Sequence, residues 1–446
     1  MATAVTNQID FAPDDPSISE LVSARPAFQA TPLGLTLDDA PLRRLAERTG
    51  TPVYAYGLDT IDRLRAAFDA LGIAPLIAYA VKANDTGGIL ACLARRGAGA
   101  DVVSEGELVR AVRSGIKAKD IVFSGVGKRR DEFALALGFG IRQVNIESPA
   151  ELDVLSDVAR QMNVTARFAV RVNPDVDAGT HAKITTGRAD SKFGMSQRDA
   201  MMLARGTALP NVQFVGFSVH IGSQITDITP FRAAFRAVAA MARTILAEGH
   251  DLRSLDLGGG IGISYRPGPS VSVESYADAV VSELGELARK VDIIIEPGRW
   301  IVGPSGILVT RVILEKENDG RRFVVVDAGM NDLMRPAMYG AWHGIVPVDC
   351  AVNTGLLSEA GVVGPVCESS DTFGKARLLP KFSPGDLVAI LDAGAYGSVM
   401  SSTYNNRPAA AIALASRGEW VVARRRQTLD ELMADDLSIP LVKEVD

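Results

Sequence analysis

The sequence predicts an α/β chain, a (β/α)8 barrel followed by a mainly β C-terminal domain. Eight short apolar, β-rich runs recur between residues 76 and 299, separated by Ala/Leu-rich stretches of helical period. A doubly wound sheet would arrange the same units, but no G-x-G-x-x-G fingerprint follows the first run, and the glycine cluster comes at the seventh. Beyond Trp300 the texture changes to short β runs broken by turn signals, as in "GILVTRVILEKENDGRRFVVVDAG".

The eight runs, in order, are "LIAYAVKAN", "GADVVSEG", "IVFSG", "QVNIES", "RFAVRVNP", "FVGFSVHIGS", "SLDLGGG" and "IIIEPGR". Among the intervening helices, Glu105–Ser114 opens after Ser104, Ser148–Gln161 opens with Ser-Pro, and Pro230–Glu248 carries apolar residues at helical spacing. The expected organisation is a flexible extension over 1–25, a segment over 26–48 joining the β domain, the barrel over 49–301 and the β domain over 302–446. Within 26–48, Phe28–Leu37 is expected to add a strand to the β domain, and "QTLDELMADD" to close the chain as a helix.

Composition limits the function. The chain has 446 residues, 47% hydrophobic and 22% charged, with a net charge of −6 and no basic patch interleaved with aromatics. That balance argues against nucleic-acid binding. Cys92, Cys350 and Cys367 form neither a C-x-x-C pair nor a disulfide framework, which suits a reducing cytoplasm and gives no metal site. The acidic amino terminus is not a signal peptide, and no apolar run approaches the ~18 residues of a membrane span.

In a (β/α)8 barrel the carboxyl ends of all strands converge on the face that carries the active site. Here they bear Lys82, Ser104, Ser124, Asn145, Arg171 with Asn173, His220, Gly258–Gly260 and Glu296. A lysine held partly desolvated there can form a Schiff base. The loops after the seventh and eighth strands, with Gly258, Gly259, Gly260 and Gly298, sit where this architecture cradles phosphate. Pyridoxal phosphate needs both features, and a carboxylate such as Glu296 would keep its ring nitrogen protonated. Taken singly, each feature has a plainer reading. Lys82 could be a solvated strand end, His220 a satisfied core histidine, the glycines a tight turn, and Glu296 a partner for Arg299.

"YAVKAN", "HIGSQ", "DLGGG", "EPGR", "GPVCESSD" and "GAYG", in that order from about Pro32 to Val442, resemble the fold-type III pyridoxal-phosphate decarboxylases, whose fold is that of alanine racemase and ornithine decarboxylase. The segments Arg171–Met195, "GMNDLMRPAMYGAWH" and "SSTYNNRP" resemble the diaminopimelate branch more than the ornithine or arginine branches. The resemblance implies decarboxylation of meso-diaminopimelate to L-lysine and carbon dioxide, the last step of lysine biosynthesis. It implies that Lys82 holds pyridoxal phosphate through a Schiff base, that His220 stacks on its ring and that Glu296 faces its ring nitrogen. Ser223, Gly258, Gly259, Gly260, Gly298, Arg299 and Tyr396 would complete the cofactor site. Arg299, Arg335, Tyr339, Glu368 and Tyr396 would hold the substrate, and Cys367 would act in reprotonation. A homodimer is also implied, with Cys367 and Glu368 donated across its interface.

A distal amino-acid group on the substrate needs recognition of both its charges. Two arginines suit the carboxylate and Glu368 the ammonium. Asp85, Glu105, Gly340 and Trp342 depart from the pattern common in relatives, and none falls on an assigned role. The nearest alternative is a decarboxylase of D-ornithine, D-lysine or carboxynorspermidine on the same scaffold. An alanine-racemase-like activity is opposed by "GPVCESSD", and a catalytically silent partner-binding homologue by the intact lysine and phosphate ligands.

Overall fold

The computed structural model describes residues 15–32, 34–179, 186–187, 191–206, 209–268, 270–349 and 356–436. Cys350 and part of the motif Arg171–Met195 (residues 180–185 and 188–190) lie outside the described residues. Eight parallel strands form the barrel: β1 Leu76–Ala80, β2 Gly99–Val102, β3 Ile121–Phe123, β4 Gln143–Ile146, β5 Ala166–Asn173, β6 Val212–Val219, β7 Ser254–Asp256 and β8 Asp292–Ile295. Each pairs with the next and β8 returns to β1, which closes the sheet and leaves no edge.

Inside, the wall is half apolar and half polar. Leu76 and Ala78 of β1, Val122 of β3 and Ile294 of β8 make a buried apolar cluster. Against it runs a hydrogen-bonded ladder. Ser254 Oγ donates to Gln143 Oε1 (2.9 Å), Gln143 Nε2 to Asn145 Oδ1 (2.9 Å), and Asn145 Nδ2 to Asp256 Oδ2 (2.9 Å). Polar groups this deep are tolerated because each finds a partner.

The helices start where side chains can accept from their free N–H groups. Ser104 Oγ accepts from Glu107 N (3.3 Å) ahead of Glu105–Arg113, and Ser148 Oγ accepts from Glu151 N (3.2 Å) ahead of Pro149–Met162. The third expected helix is Thr229–Ala247. After β8 only the short helix Arg299–Val302 follows. The helix Leu58–Leu71, which precedes β1, packs against Arg299–Val302 and against the helices Gly87–Arg95 and Val273–Leu284, so it fills the eighth position. Thr229–Ala247 has 19 residues, but no helix among the described residues is long and apolar enough to cross a membrane.

Three segments differ from the sequence reading. Val53–Gly57, placed inside the barrel's expected bounds of 49–301, lies fully buried in the second sheet, antiparallel to Gly306–Val309 and parallel to Ala411–Ala415. Phe28–Thr31, Gly34–Leu37 and Ala40–Pro41 form their own three-stranded sheet, whose Phe28, Leu35 and Leu37 share a core with Ile307, Val309 and Leu391 of the β domain. Within the stretch read as flexible, Ile18–Ser23 is a helix with a Ser17/Glu20 capping box. The remaining strands, from Gly306–Asn318 to Glu419–Arg424, make the β domain, and the closing helix is Leu429–Leu432.

Asp332, 2% exposed, accepts from Gly329 N (3.0 Å), yet burial outweighs that bond and pushes its carboxyl up to about 6. The fold therefore favours the protonated form. Its contribution to stability is whole below the unfolded carboxyl value near pH 4 and is lost as pH rises towards 6. Asp332→Asn, neutral at every pH, is expected to match the parent in urea unfolding at pH 4 and exceed it at pH 7 by on the order of 2 to 3 kcal/mol.

Candidate active site

β1 ends at Ala80, two residues before the lysine; a single 3-10 turn, Val81–Ala83, then carries Lys82 onto the barrel mouth. Its side chain remains 31% exposed while Nζ pairs with the fully buried Asp101 from the end of β2. Burial pulls the ammonium down, but Asp101 and Glu296 outweigh it and hold the pKa above the ordinary lysine value. The lysine is therefore charged and tethered, with an open side facing the mouth.

Glu296 follows β8 and is 5% exposed, and its Oε1 has no hydrogen-bond partner among the described residues. Burial, reinforced by the nearby Asp101 and Asp256, pushes its carboxyl well above the ordinary value. Asp256, at the end of β7, is fixed by Asn145 and by Gly258 N (3.0 Å). An unpaired buried carboxyl oxygen costs about 1 to 3 kcal/mol unless something meets it. The Glu296 and Asp256 carboxyls hydrogen-bond one another, which leaves Oε1 of Glu296 open to a further donor.

His220 follows β6. Its Nδ1 accepts from Gly259 N (3.2 Å) and lies 4.0 Å from Glu296 Oε2. Burial, with Arg171 and Lys82 nearby, pushes the imidazole well below its usual pKa, so the ring is neutral and carries its proton on Nε2. The glycine turn beside it is forced by space. A Cβ on Gly259 would lie 2.0 Å from the Glu296 carbonyl oxygen, and one on Gly260, at φ +105°, 2.4 Å from that of Gly222.

A second group adjoins the first. Tyr396 N donates to the Ala83 carbonyl (2.8 Å), next to Lys82, and the Tyr396 ring lies under the Arg299 guanidinium at 4.7 Å. Arg299 Nη1 donates to Tyr265 Oη (2.7 Å) and Nη2 to Ser223 Oγ (3.1 Å). Arg335, on the short helix Arg335–Tyr339, stacks over the Tyr265 ring at 4.7 Å and donates to His343 Nε2 (2.7 Å). His343 Nδ1 in turn meets the Leu391 carbonyl (2.8 Å), which fixes the tautomer that accepts from Arg335. Both arginines are buried, and Tyr265, Ser223 and His343, which accept from them, are all neutral groups; Nε of each arginine has no partner among the described residues.

Thus Lys82, His220, Glu296 and the glycine turn come together, and Ser223, Arg299, Arg335 and Tyr396 join them, with Tyr339 at the end of the Arg335 helix. Gly298 sits behind Lys82, where a Cβ would lie 3.0 Å from those of Ala80 and Ala83. Cys367 and Glu368 stand apart on an exposed loop between the strands Ser358–Val363 and Thr372–Leu379. Cys367 N donates to Asn405 Oδ1 (2.9 Å), and Glu368 Oε1 accepts from Ser370 Oγ (2.5 Å). The departures take structural places. Asp85 pairs with Arg110 (3.3 Å), Glu105 with Arg129 (3.1 Å), Gly340 ends its helix at φ +60°, and Trp342 is flanked by Arg266 and Arg377.

Asp101, Tyr265 and His343 were not assigned from sequence. Asp101 alone had a usable signal, an acid inside the apolar run "GADVV".

Residues 58–303 match the family model described as "Pyridoxal-dependent decarboxylase, pyridoxal binding domain", which gives the class of the barrel and its site. Diaminopimelate decarboxylase of Zymomonas mobilis is 42% identical over 420 residues, covering 91% of this chain and 97% of that one. Solved structures agree. Diaminopimelate decarboxylase from Helicobacter pylori complexed with L-lysine has a TM-score of 0.84 at 41% identity, covering 88% of this chain and 98% of that one. The one from M. jannaschii, in co-complex with L-lysine, has a TM-score of 0.87 at 35% identity, covering 93% and 99%. The chain belongs to the diaminopimelate decarboxylase family. The residues present fit pyridoxal phosphate: an amine at the mouth, glycine backbones for the phosphate and an unpaired buried carboxyl oxygen for the ring nitrogen.

Proposed function

We propose that this protein decarboxylates meso-diaminopimelate to L-lysine and carbon dioxide with pyridoxal phosphate as cofactor. One observation carries the substrate reading. Arg299 and Arg335 are buried beside the lysine site with neutral partners, an arrangement that is costly until a carboxylate arrives. Relatives crystallised with L-lysine support a ligand bearing an amino-acid group.

Pyridoxal phosphate, when bound, supplies the electron sink for the bonding pair left as carbon dioxide departs. Lys82 Nζ would hold it covalently, with Asp101 fixing the amine at the mouth. Glu296 would keep a proton at the ring nitrogen, and neutral His220, fixed by Gly259 N, would orient the ring. Ser223, Gly258–Gly260, Gly298 and Tyr396 hold the phosphate end. Arg299, Arg335 and Tyr339 grip the distal carboxylate, so only a substrate with two amino-acid ends fills the pocket. Cys367, as proton donor, and Glu368, reading the distal ammonium, reach the site from the partner subunit of a homodimer; their exposure here is what donation across an interface requires. Free thiols at Cys92 and Cys367 suit the reducing cytoplasm.

The test is product identity: incubation with meso-diaminopimelate should yield L-lysine and carbon dioxide in equal amounts. Carbon dioxide without L-lysine would reject the reading. Glu296→Gln is expected to lower kcat roughly 10²-fold with a smaller change in KM, measured by steady-state carbon dioxide release.

A further inference from the structure

Arg299 and Arg335 both lean on Tyr265, one through its hydroxyl and the other through its ring face. Tyr265 lies in the loop beyond the Gly258–Gly260 turn, and its backbone carbonyl accepts from Arg25 Nη2 (2.9 Å). Arg25 comes from the N-terminal segment, just past the helix Ile18–Ser23, and is 6% exposed. Its Nε donates to both oxygens of Asp392 (2.9 Å each) and its Nη1 to the Leu21 carbonyl (2.6 Å). Asp392, 2% exposed, follows Leu391, whose carbonyl holds His343, and lies four residues before Tyr396. One buried guanidinium outside the pocket thus ties the barrel loop that carries Tyr265 to the β-domain turn that carries the supports of Arg335 and Arg299.

We infer that Arg25 is a positioning residue which, through Tyr265, sets the geometry of the two arginines that bind the distal carboxylate. The inference rests on the proposed role of Arg299 and Arg335 in holding that carboxylate. The guanidinium fork suits such a role, since Arg25 bridges a carboxylate and a carbonyl from two domains at fixed angles, which a lysine ammonium cannot reproduce.

The test uses holoenzyme of the parent, Arg25→Met, Arg25→Lys, Tyr265→Phe and Arg335→Met. KM and kcat are measured on meso-diaminopimelate, and Kd for L-lysine, which keeps the distal amino-acid group, and for cadaverine, which lacks it. Arg25→Met and Tyr265→Phe are expected to raise KM and the L-lysine Kd about ten-fold or more, with kcat within about two-fold and cadaverine binding unchanged. Arg25→Lys, which keeps a charge opposite Asp392, should fall between Arg25→Met and the parent. A merely structural role would lower the active fraction, and with it kcat, and leave KM alone. Unchanged KM, or equal weakening of L-lysine and cadaverine, overturns the inference. If Arg25→Met does not fold, Arg25→Lys decides, since it keeps a cation opposite Asp392 while losing the fork that reaches the Tyr265 carbonyl. Failure of the underlying carboxylate reading looks different: Arg335→Met then leaves L-lysine binding unchanged, and the inference falls with it.

Discussion

Carbon dioxide release is expected to fall by on the order of 10⁴-fold or more when Lys82 is replaced by alanine, the scale seen when a covalently acting residue is removed. Lys82 Nζ stands at the barrel mouth with Asp101 beside it and Glu296 close enough to be felt electrostatically. The other described amine near the strand ends, that of Lys128, is committed to the Gly125 and Asn145 carbonyls and to Glu151. The variant also leaves Asp101 buried without its cation, so a lower melting temperature should accompany the loss. Activity and folding must therefore be read separately. Borohydride should fix pyridoxal phosphate to the parent at Lys82 and leave the folded variant unlabelled. Near-normal turnover in Lys82→Ala would overturn the cofactor assignment.

The second large effect concerns selectivity. Arg335→Met is expected to cut kcat/KM on meso-diaminopimelate by roughly four powers of ten, because a desolvated carboxylate would lose a charged partner. Stability should move little. The substitution removes a buried cation that has only neutral partners, a gain, and leaves His343 Nε2 without its donor, a cost of about 1 to 3 kcal/mol. Steady-state kinetics beside a thermal melt separate the two effects. Loss of activity together with a collapsed melt would place Arg335 in the fold rather than in recognition.

The barrel was legible because each strand announces itself twice, by an apolar run and by a polar residue where the run stops. Lys82, His220 and Glu296 needed only the rule that these ends meet on one face. Val53–Gly57 misled because "VYAYG" has the composition of any buried strand. Which sheet receives it depends on partners 250 or more residues away, at Gly306–Val309 and Ala411–Ala415. Tyr265, His343 and Arg25 were hidden for a related reason. Each comes from a loop or terminal segment without periodicity, and each acquires its part only from partners distant in the sequence or on other loops. Asp101 shows the opposite failure: its signal was present, but the end of β2 was placed two residues late, at Ser104.

A lysine-centred site adjoins a pair of buried arginines, and under the proposed function that pairing would distinguish meso-diaminopimelate from simpler diamines and amino acids. Carbon dioxide release by the pyridoxal-phosphate-loaded protein, assayed side by side on meso-diaminopimelate, L-lysine, D-lysine and L-ornithine, probes it most directly. Release from meso-diaminopimelate alone, with L-lysine as product, is the expected result. Release mainly from a substrate without the distal carboxylate would leave Lys82 in place and contradict the roles given to Arg299 and Arg335.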